Sequence, residues 1–152
     1  MGKIDPIAGN DLLQALNVAL QGQFQSRFYR DTNFGNNNQG WFITEKDGKF
    51  LVRNLSGAVA TFSLEELPGC CGVIVSYYSE VELAYRKLGL GELLLKVRMD
   101  ACRVMKYGQM LATVVAGNQA EEKLLDCQGW LKVKEFRNPK TQNIVQTYLV
   151  NL

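Results

Sequence analysis

Glu80-Val81-Glu82-Leu83-Ala84-Tyr85-Arg86-Lys87-Leu88-Gly89-Leu90-Gly91 runs directly into a helical pattern that lasts from Glu92 to Lys106. The order reads as strand, glycine loop and helix start, which turns backbone N–H groups toward an anion. The first turn of a helix has N–H groups with no internal partner, and the aligned peptide dipoles add partial positive charge there. Gly89 and Gly91 lack a Cβ, so the loop can adopt positive φ and let a pyrophosphate approach the backbone. Arg86 and Lys87 add formal charge at the loop mouth. The same spacing also fits a plain strand-to-helix turn with both cations in water, and short glycine motifs match by chance. Two better-known phosphate loops are excluded. No lysine followed by Ser or Thr closes the run, and the third glycine of a dinucleotide fingerprint is missing.

A length of 152 residues predicts one domain, 1–152, large enough to bury ~68–70% of its unfolded surface. A net charge of +2, with lysines and arginines spread along the chain, gives no basic footprint for nucleic acid. Membranes are not implied either. The start Met1-Gly2-Lys3-Ile4-Asp5-Pro6 lacks a signal peptide's apolar core, and Pro6 stands where a myristoylation motif needs Ser or Thr.

The chain has no histidine, and Cys70, Cys71, Cys102 and Cys127 show no metal-ligand spacing. Zinc and haem sites therefore lose their usual ligands, and a Ser-His-Asp or Cys-His triad is impossible. Cys102 and Cys127 read as buried small hydrophobes, and the adjacent Cys70 and Cys71 as free thiols in a turn. Reduced cysteines fit a cytoplasmic protein.

Along the chain, Asn10 or Asp11 is expected to cap a helix carrying Leu12, Leu13, Leu16, Ala19 and Leu20, with Gly22 as its stop. A second short helix should follow, Phe24 and Phe28 sharing one face, and then an exposed loop from Asp31 to Gly40. From Trp41 the period becomes two. Strands are expected at Trp41–Glu45 and Lys49–Asn54 around an Asp47-Gly48 hairpin turn, at Ala58–Ser63, and at Gly72–Leu83. On the last of these, alternation places Tyr78, Glu80 and Glu82 on one face and Tyr77, Val81 and Leu83 on the other.

The helix after the glycine loop should face Leu94, Val97, Ala101 and Met105 inward, with Glu92 and Lys96 paired outside. Met110–Ala116 reads as a strand buried on both faces, so strand, helix and strand form a parallel pair. Open sheets of this kind bind ligands beyond the carboxyl ends of their strands, where the glycine loop lies. Asn118 with Glu121 has capping-box form. The helix it starts presents Ala120, Leu124 and Leu125 and ends at Gly129, and two strands follow, the last at Ile144–Val150. The expected fold class is α/β, a central mixed sheet flanked by helices.

Val81 to Gly91, with Tyr85-Arg86 ahead of Gly89-Leu90-Gly91, resembles motif A of the GCN5-related N-acetyltransferases. Asn118, Ala120, Gly129 and Trp130 resemble that family's motif B, and the likeness covers about Gly72 to the C-terminus. The resemblance implies acetyl-CoA as cofactor. Backbone at Val81, Glu82 and Leu83 would pair with the pantetheine arm, and the amides of Arg86, Lys87, Leu88, Gly89, Leu90 and Gly91 would hold the pyrophosphate. Asn118 would touch the cofactor as well as cap its helix. It further implies that the sheet splays where the motif A strand leaves Met110–Ala116, and that the thioester sits in that opening.

Attack by an amine on a thioester needs a base for the amine proton and often an acid for the thiolate. Glu80 and Glu82 are the candidate bases, acting through water, and Tyr78 and Tyr148 the candidate acids, because Leu125 stands where the family often has tyrosine. Leu83 likewise replaces a common motif A proline, and Ala120 lies one residue closer to Asn118 than usual. The meander ahead of the loop also holds one strand more than the family needs. Two functions follow. One is a cytoplasmic N-acetyltransferase acting on an amine, small molecule or protein, whose cationic form Glu80 and Glu82 attract. The other is a non-catalytic member serving as a CoA-binding or structural interaction module. Either could be a homo-oligomer.

Overall fold

The computed structural model describes residues 6–25 and 40–152, with side chains from residue 11 onward. Its elements are helix α1 (Pro6–Gln25), strands β1 (Phe42–Lys46), β2 (Lys49–Asn54), β3 (Gly57–Glu66) and β4 (Val73–Val81), a 3-10 turn (Leu83–Tyr85), helix α2 (Leu90–Val104), β5 (Gln109–Val115), helix α3 (Gln119–Cys127), β6 (Leu131–Arg137) and β7 (Ile144–Asn151). The strands form one mixed sheet in the order β1-β2-β3-β4-β5-β7-β6. Among the described residues only β4 and β5 pair in parallel. This is the expected mixed sheet with helices around it.

The first helix departs from the sequence reading at both ends. It begins at Pro6 rather than at an Asn10 or Asp11 cap, and it runs through Gly22. An interior glycine costs roughly 0.5–1 kcal/mol, whereas burying Leu20 or Phe24 is worth roughly 1.5–3 kcal/mol each. Leu12, Leu16, Leu20 and Phe24 form one buried stripe across the glycine, so packing prevails. Phe24 therefore belongs to α1. Phe28 and the loop from Asp31, except Gly40, lie outside the described residues. Asn17 of α1 grips the edge strand: its side-chain amide accepts from Ile43 N–H at 2.8 Å and donates to the Ile43 carbonyl at 3.0 Å.

The four-strand meander matches its expected strands closely, and the Asp47-Gly48 hairpin pairs Lys46 with Lys49. On α2, Leu94, Val97 and Ala101 are buried as expected, and Met105 packs against the core while half-buried. Two further expectations fail. Cys127 is exposed, because it ends α3 on the side away from Leu125, while Cys102 is buried and Cys70 and Cys71 are exposed free thiols. Strand β5 is not buried on both faces: Thr113 and Val115 are exposed where β4 no longer lies beside it.

Strand β4 ends at Val81, two residues short of its expected end, because the chain turns into the 3-10 segment that starts at Leu83. It also carries a bulge. Thr61 pairs with Glu80 and Ser63 with Tyr77, so Phe62 alone faces both Tyr78 and Ser79. Tyr78 takes φ +52° there. A bulge inserts one extra residue and re-aims those beyond it, so the simple alternation from Tyr77 to Leu83 does not hold.

Candidate functional site

The glycine loop is held from the meander side. Tyr85 stacks edge-on against Trp41 at 6.0 Å between centroids, and its hydroxyl accepts from Asn54 Nδ2 at 2.8 Å. Leu90, almost fully buried, anchors the other end in the core. Between these anchors Lys87 takes φ +63° and Gly89 φ +85°. Gly89 is the N-cap residue of α2 and supplies no side chain, and among the described residues no other side chain caps the helix. The first N–H to bond back into the helix is that of Leu93, to the Gly89 carbonyl at 3.1 Å. The preceding amides thus form the open, positive end of a fifteen-residue helix. Gly91 has an ordinary helical φ, and a Cβ there would meet only Leu124 Cδ2 at 3.8 Å. The left-handed positions are therefore Lys87 and Gly89, not the two glycines.

Beyond the loop the sheet opens. Strands β4 and β5 pair from Val73–Gln109 to Ser76–Ala112 and then part, while β5 stays paired with β7 up to Val115. Glu82 N–H donates to the Val59 carbonyl, so Val81, the next residue back, turns its N–H and C=O away from β3 into the opening. The Val81 carbonyl accepts from Arg86 Nε at 2.8 Å, and Arg86 also pairs with Glu80 at 3.7 Å. That ion pair is exposed and worth little by itself.

Two clefts occupy the opening. The loop cleft, about 370 Å³, is lined by Glu80, Val81, Arg86, Gly91 and Asn118, with Thr61 and Phe62 behind. The splay cleft, about 210 Å³, lies between β4 and β5 and is lined by Tyr78, Thr113, Val114 and Leu125. Ser79, Arg98, Asn118 and Glu121 line both, which makes the two one continuous groove.

The geometry separates the residues expected from sequence. Glu80, Val81, Arg86, Gly91 and Asn118 converge on the loop cleft, and Tyr78, 79% exposed, stands in the splay cleft. Glu82 and Leu83 are exposed and line neither cleft; nor do Lys87, Leu88, Gly89 and Leu90, whose backbone forms the loop. Asn118 caps α3, its Oδ1 accepting from Glu121 N–H at 3.3 Å. Its own N–H bonds to Val115, so only half of the expected capping box forms. Tyr148 lies in the core, where burial raises its phenol above the ordinary range, with Asp126 and Glu122 adding to the shift. Among the described residues no cluster of acidic or cysteine side chains could hold a metal ion. No helix among them is long and apolar enough to cross a membrane.

Sequence reading missed Arg98. It is 4% exposed on the sheet-facing side of α2 and lines both clefts. Its Nε donates to the Leu94 carbonyl at 3.2 Å, and its Nη1 donates to Ser76 Oγ at 2.8 Å and to Ser79 Oγ. The guanidinium lies 5.0 Å over the Phe62 ring. Burial lowers its pKa to about 10, partly countered by the charge of Glu121, so it remains a cation at neutral pH. The signal was present in the sequence. Leu94, Arg98, Ala101 and Met105 share one helical stripe, and a cation on an apolar stripe is a site marker.

No protein-family model matches the chain, and no curated protein matches its sequence. Solved structures do. Ard1 from Thermoplasma volcanium aligns at TM-score 0.61 and 12% identity over 70% of this chain and 71% of its own. The ribosomal-protein-S18-alanine N-acetyltransferase from Escherichia coli aligns at 0.59 and 13% over 99% and 91%. Arabidopsis thaliana Naa50, in complex with the bisubstrate analogue CoA-Ac-MVNAL, aligns at 0.57 and 16% over 70% and 74%. With its parallel β4–β5 pair parting beside a glycine-led helix, the chain has the fold of the GCN5-related N-acetyltransferases.

Proposed function

We propose that the chain is an N-acetyltransferase that uses acetyl-CoA and transfers the acetyl group to a primary amine by direct attack on the thioester. The observation that carries this reading is the uncapped N-terminus of α2 opening into the groove where β4 leaves β5. A pyrophosphate suits the amides from Lys87 to Gly91, with the Arg86 and Lys87 charges beside it; the Arg86 N–H, expected among them, is bonded to the Leu83 carbonyl instead. Pairing with a pantetheine arm falls to Val81, since Glu82 N–H is already bonded to Val59 and Leu83 opens the turn. The Val81 carbonyl then exchanges its Arg86 partner for the arm, freeing the guanidinium for phosphate.

CoA supplies an acyl group on a good leaving thiolate, and the chain supplies position and proton transfer. Glu80 lines the groove and serves as base, directly or through water. Of the two candidate acids, Tyr78 rather than the buried Tyr148 lines the groove and protonates the thiolate; Tyr77, which also lines it, donates its hydroxyl to Glu65. As the amine nitrogen bonds to the acyl carbon, the carbon–sulfur bond breaks. One proton passes from the amine to Glu80, and one from Tyr78 or solvent to sulfur.

Calorimetric titration with acetyl-CoA, followed by thiol release across a panel of amines, tests the reading. Binding with release is expected; absence of binding overturns it. Binding without release from any amine would favour a CoA-holding module, the reading to which Leu125 in place of a tyrosine points. Glu80→Gln should lower kcat by about 100-fold, within the usual range for general-base loss, with acetyl-CoA affinity retained. Glu82→Gln should turn over like the wild type. A Glu80→Gln protein with undiminished kcat would remove the base assignment.

A further inference from the structure

The closed end of the splay cleft holds a cation where an acetyl methyl would need only apolar walls. Ser76 is the last β4 residue paired with β5, and Arg98 Nη1 is fixed on Ser76 Oγ at 2.8 Å and on Ser79 Oγ across the bulge. The guanidinium therefore sits at the vertex of the opening. Taking a cation out of water is costly unless an anion or full hydrogen bonding compensates. Here the compensation is partial: two serine hydroxyls, one helix carbonyl and the Phe62 ring face the group. Among the described residues Arg98 forms no ion pair. Glu121, which lines both clefts, is near enough to influence its charge but not to pair with it. The donors on the second terminal nitrogen, Nη2, have no hydrogen-bond partner among the described residues and are available to the cleft.

We propose that the splay cleft selects an acyl group ending in a carboxylate, with Arg98 receiving that carboxylate, so that the preferred donor is a CoA thioester of a dicarboxylic acid over acetyl-CoA. The inference rests on the reading that the glycine loop holds CoA. A four-carbon diacid reaches further than acetyl, and a cleft of about 210 Å³ leaves room beyond a methyl group. With Nε and Nη1 already engaged, the free Nη2 N–H groups offer a carboxylate oxygen a charge-assisted hydrogen bond. Ser76 and Ser79 hold the guanidinium in place, and Phe62 screens its face.

Titration of the full chain with CoA, acetyl-CoA, butyryl-CoA and succinyl-CoA separates charge from length, because butyryl matches succinyl in carbon count without the carboxylate. Succinyl-CoA should bind at least tenfold tighter than acetyl-CoA and butyryl-CoA. In Arg98→Met that preference should vanish while CoA affinity stays the same, and in Arg98→Lys it should persist in part. Glu121→Gln, which removes the competing negative charge, should widen it. If CoA and acetyl-CoA bind but succinyl-CoA is not preferred by the wild type, the donor proposal is wrong while the acyl-CoA reading stands. If none of the four binds, the CoA reading itself falls and this inference with it. A preference that survives in Arg98→Met would assign it to other residues. Equal affinities, with Arg98→Met lowering only the rate of acetyl transfer, would give the guanidinium to the thioester carbonyl instead. The wild-type comparison needs no variant to fold.

Discussion

Two helices start beside the same groove, and they treat their first turns in opposite ways. Helix α3 is self-contained: Asn118 Oδ1 accepts from Glu121 N–H, and Glu121 and Glu122 place negative charge against the positive end of the dipole. Helix α2 begins at Gly89, which has no side chain to give, and Arg86 and Lys87 precede it. Its single first-turn acid, Glu92, is engaged with Lys96 at 3.3 Å and with Gln128. One helix caps its own N-terminus, whereas the other starts uncapped beside a groove that Arg86 and Gly91 line. That contrast, more than the glycines as such, distinguishes a structural turn from an anion site.

The sharpest way to break the comparison is to impose the same backbone strain at both starts. Gly89 has φ +85° and Gly117, just before Asn118, has φ +97°; a Cβ at either would meet nothing within 4 Å. Valine at either position therefore costs stability through conformation alone, roughly 1–3 kcal/mol. The ligand effect should differ. Gly89→Val shifts the amides that face phosphate, and losing one or two charge-assisted hydrogen bonds of ~1.5–3 kcal/mol lowers CoA affinity by about 100-fold. Gly117→Val should leave CoA affinity within about threefold, the change expected for ~0.7 kcal/mol. Equal losses in the two variants would mean that strain spreads through the groove and that the α2 start has no special part.

A smaller effect sharpens the electrostatic half of the contrast. Arg86→Ala removes a charge from the open start and should weaken CoA binding by about tenfold, with a reduced dependence on salt. Glu122→Gln removes a charge from the capped start and should change binding very little. Salt titration distinguishes a direct phosphate contact from lost support of Val81, since only the former carries screening with it.

Much of this arrangement was readable from sequence because it follows local rules. The period of two from Trp41, the Asp47-Gly48 turn and the glycine-led helix each act within a few residues. The failures share a cause, which is that distant packing decided against a local preference. Gly22 does not stop α1 because Leu20 and Phe24 are both buried across it. The bulge at Tyr78 leaves no trace in the polar–apolar pattern, so Tyr78 falls out of phase with Glu80 and Ser79 enters both clefts unannounced. Glu80 and Glu82 keep one register beyond the bulge, but the chain turns away at Leu83 and only Glu80 lines a cleft. Arg98 is the exception. Its stripe position was legible, but pairing it with Ser76 and Ser79 requires knowing that β4 bulges and parts from β5 at that height.

The smallest effect concerns Asn118, which lines both clefts while also capping α3. A pure cap and a cap that touches CoA predict different pairs of outcomes. Removing the cap as Asn118→Ala should lower stability by about 1 kcal/mol in either case, whereas Asn118→Asp keeps the acceptor and the stability. Aspartate adds a negative charge to the groove. If Asn118 touches CoA, Asn118→Asp should fold like the wild type and bind CoA several-fold more weakly. If the side chain serves only its own helix, the aspartate variant should bind CoA unchanged, and α3 would then be closed to the ligand in full while α2 alone presents the anion site.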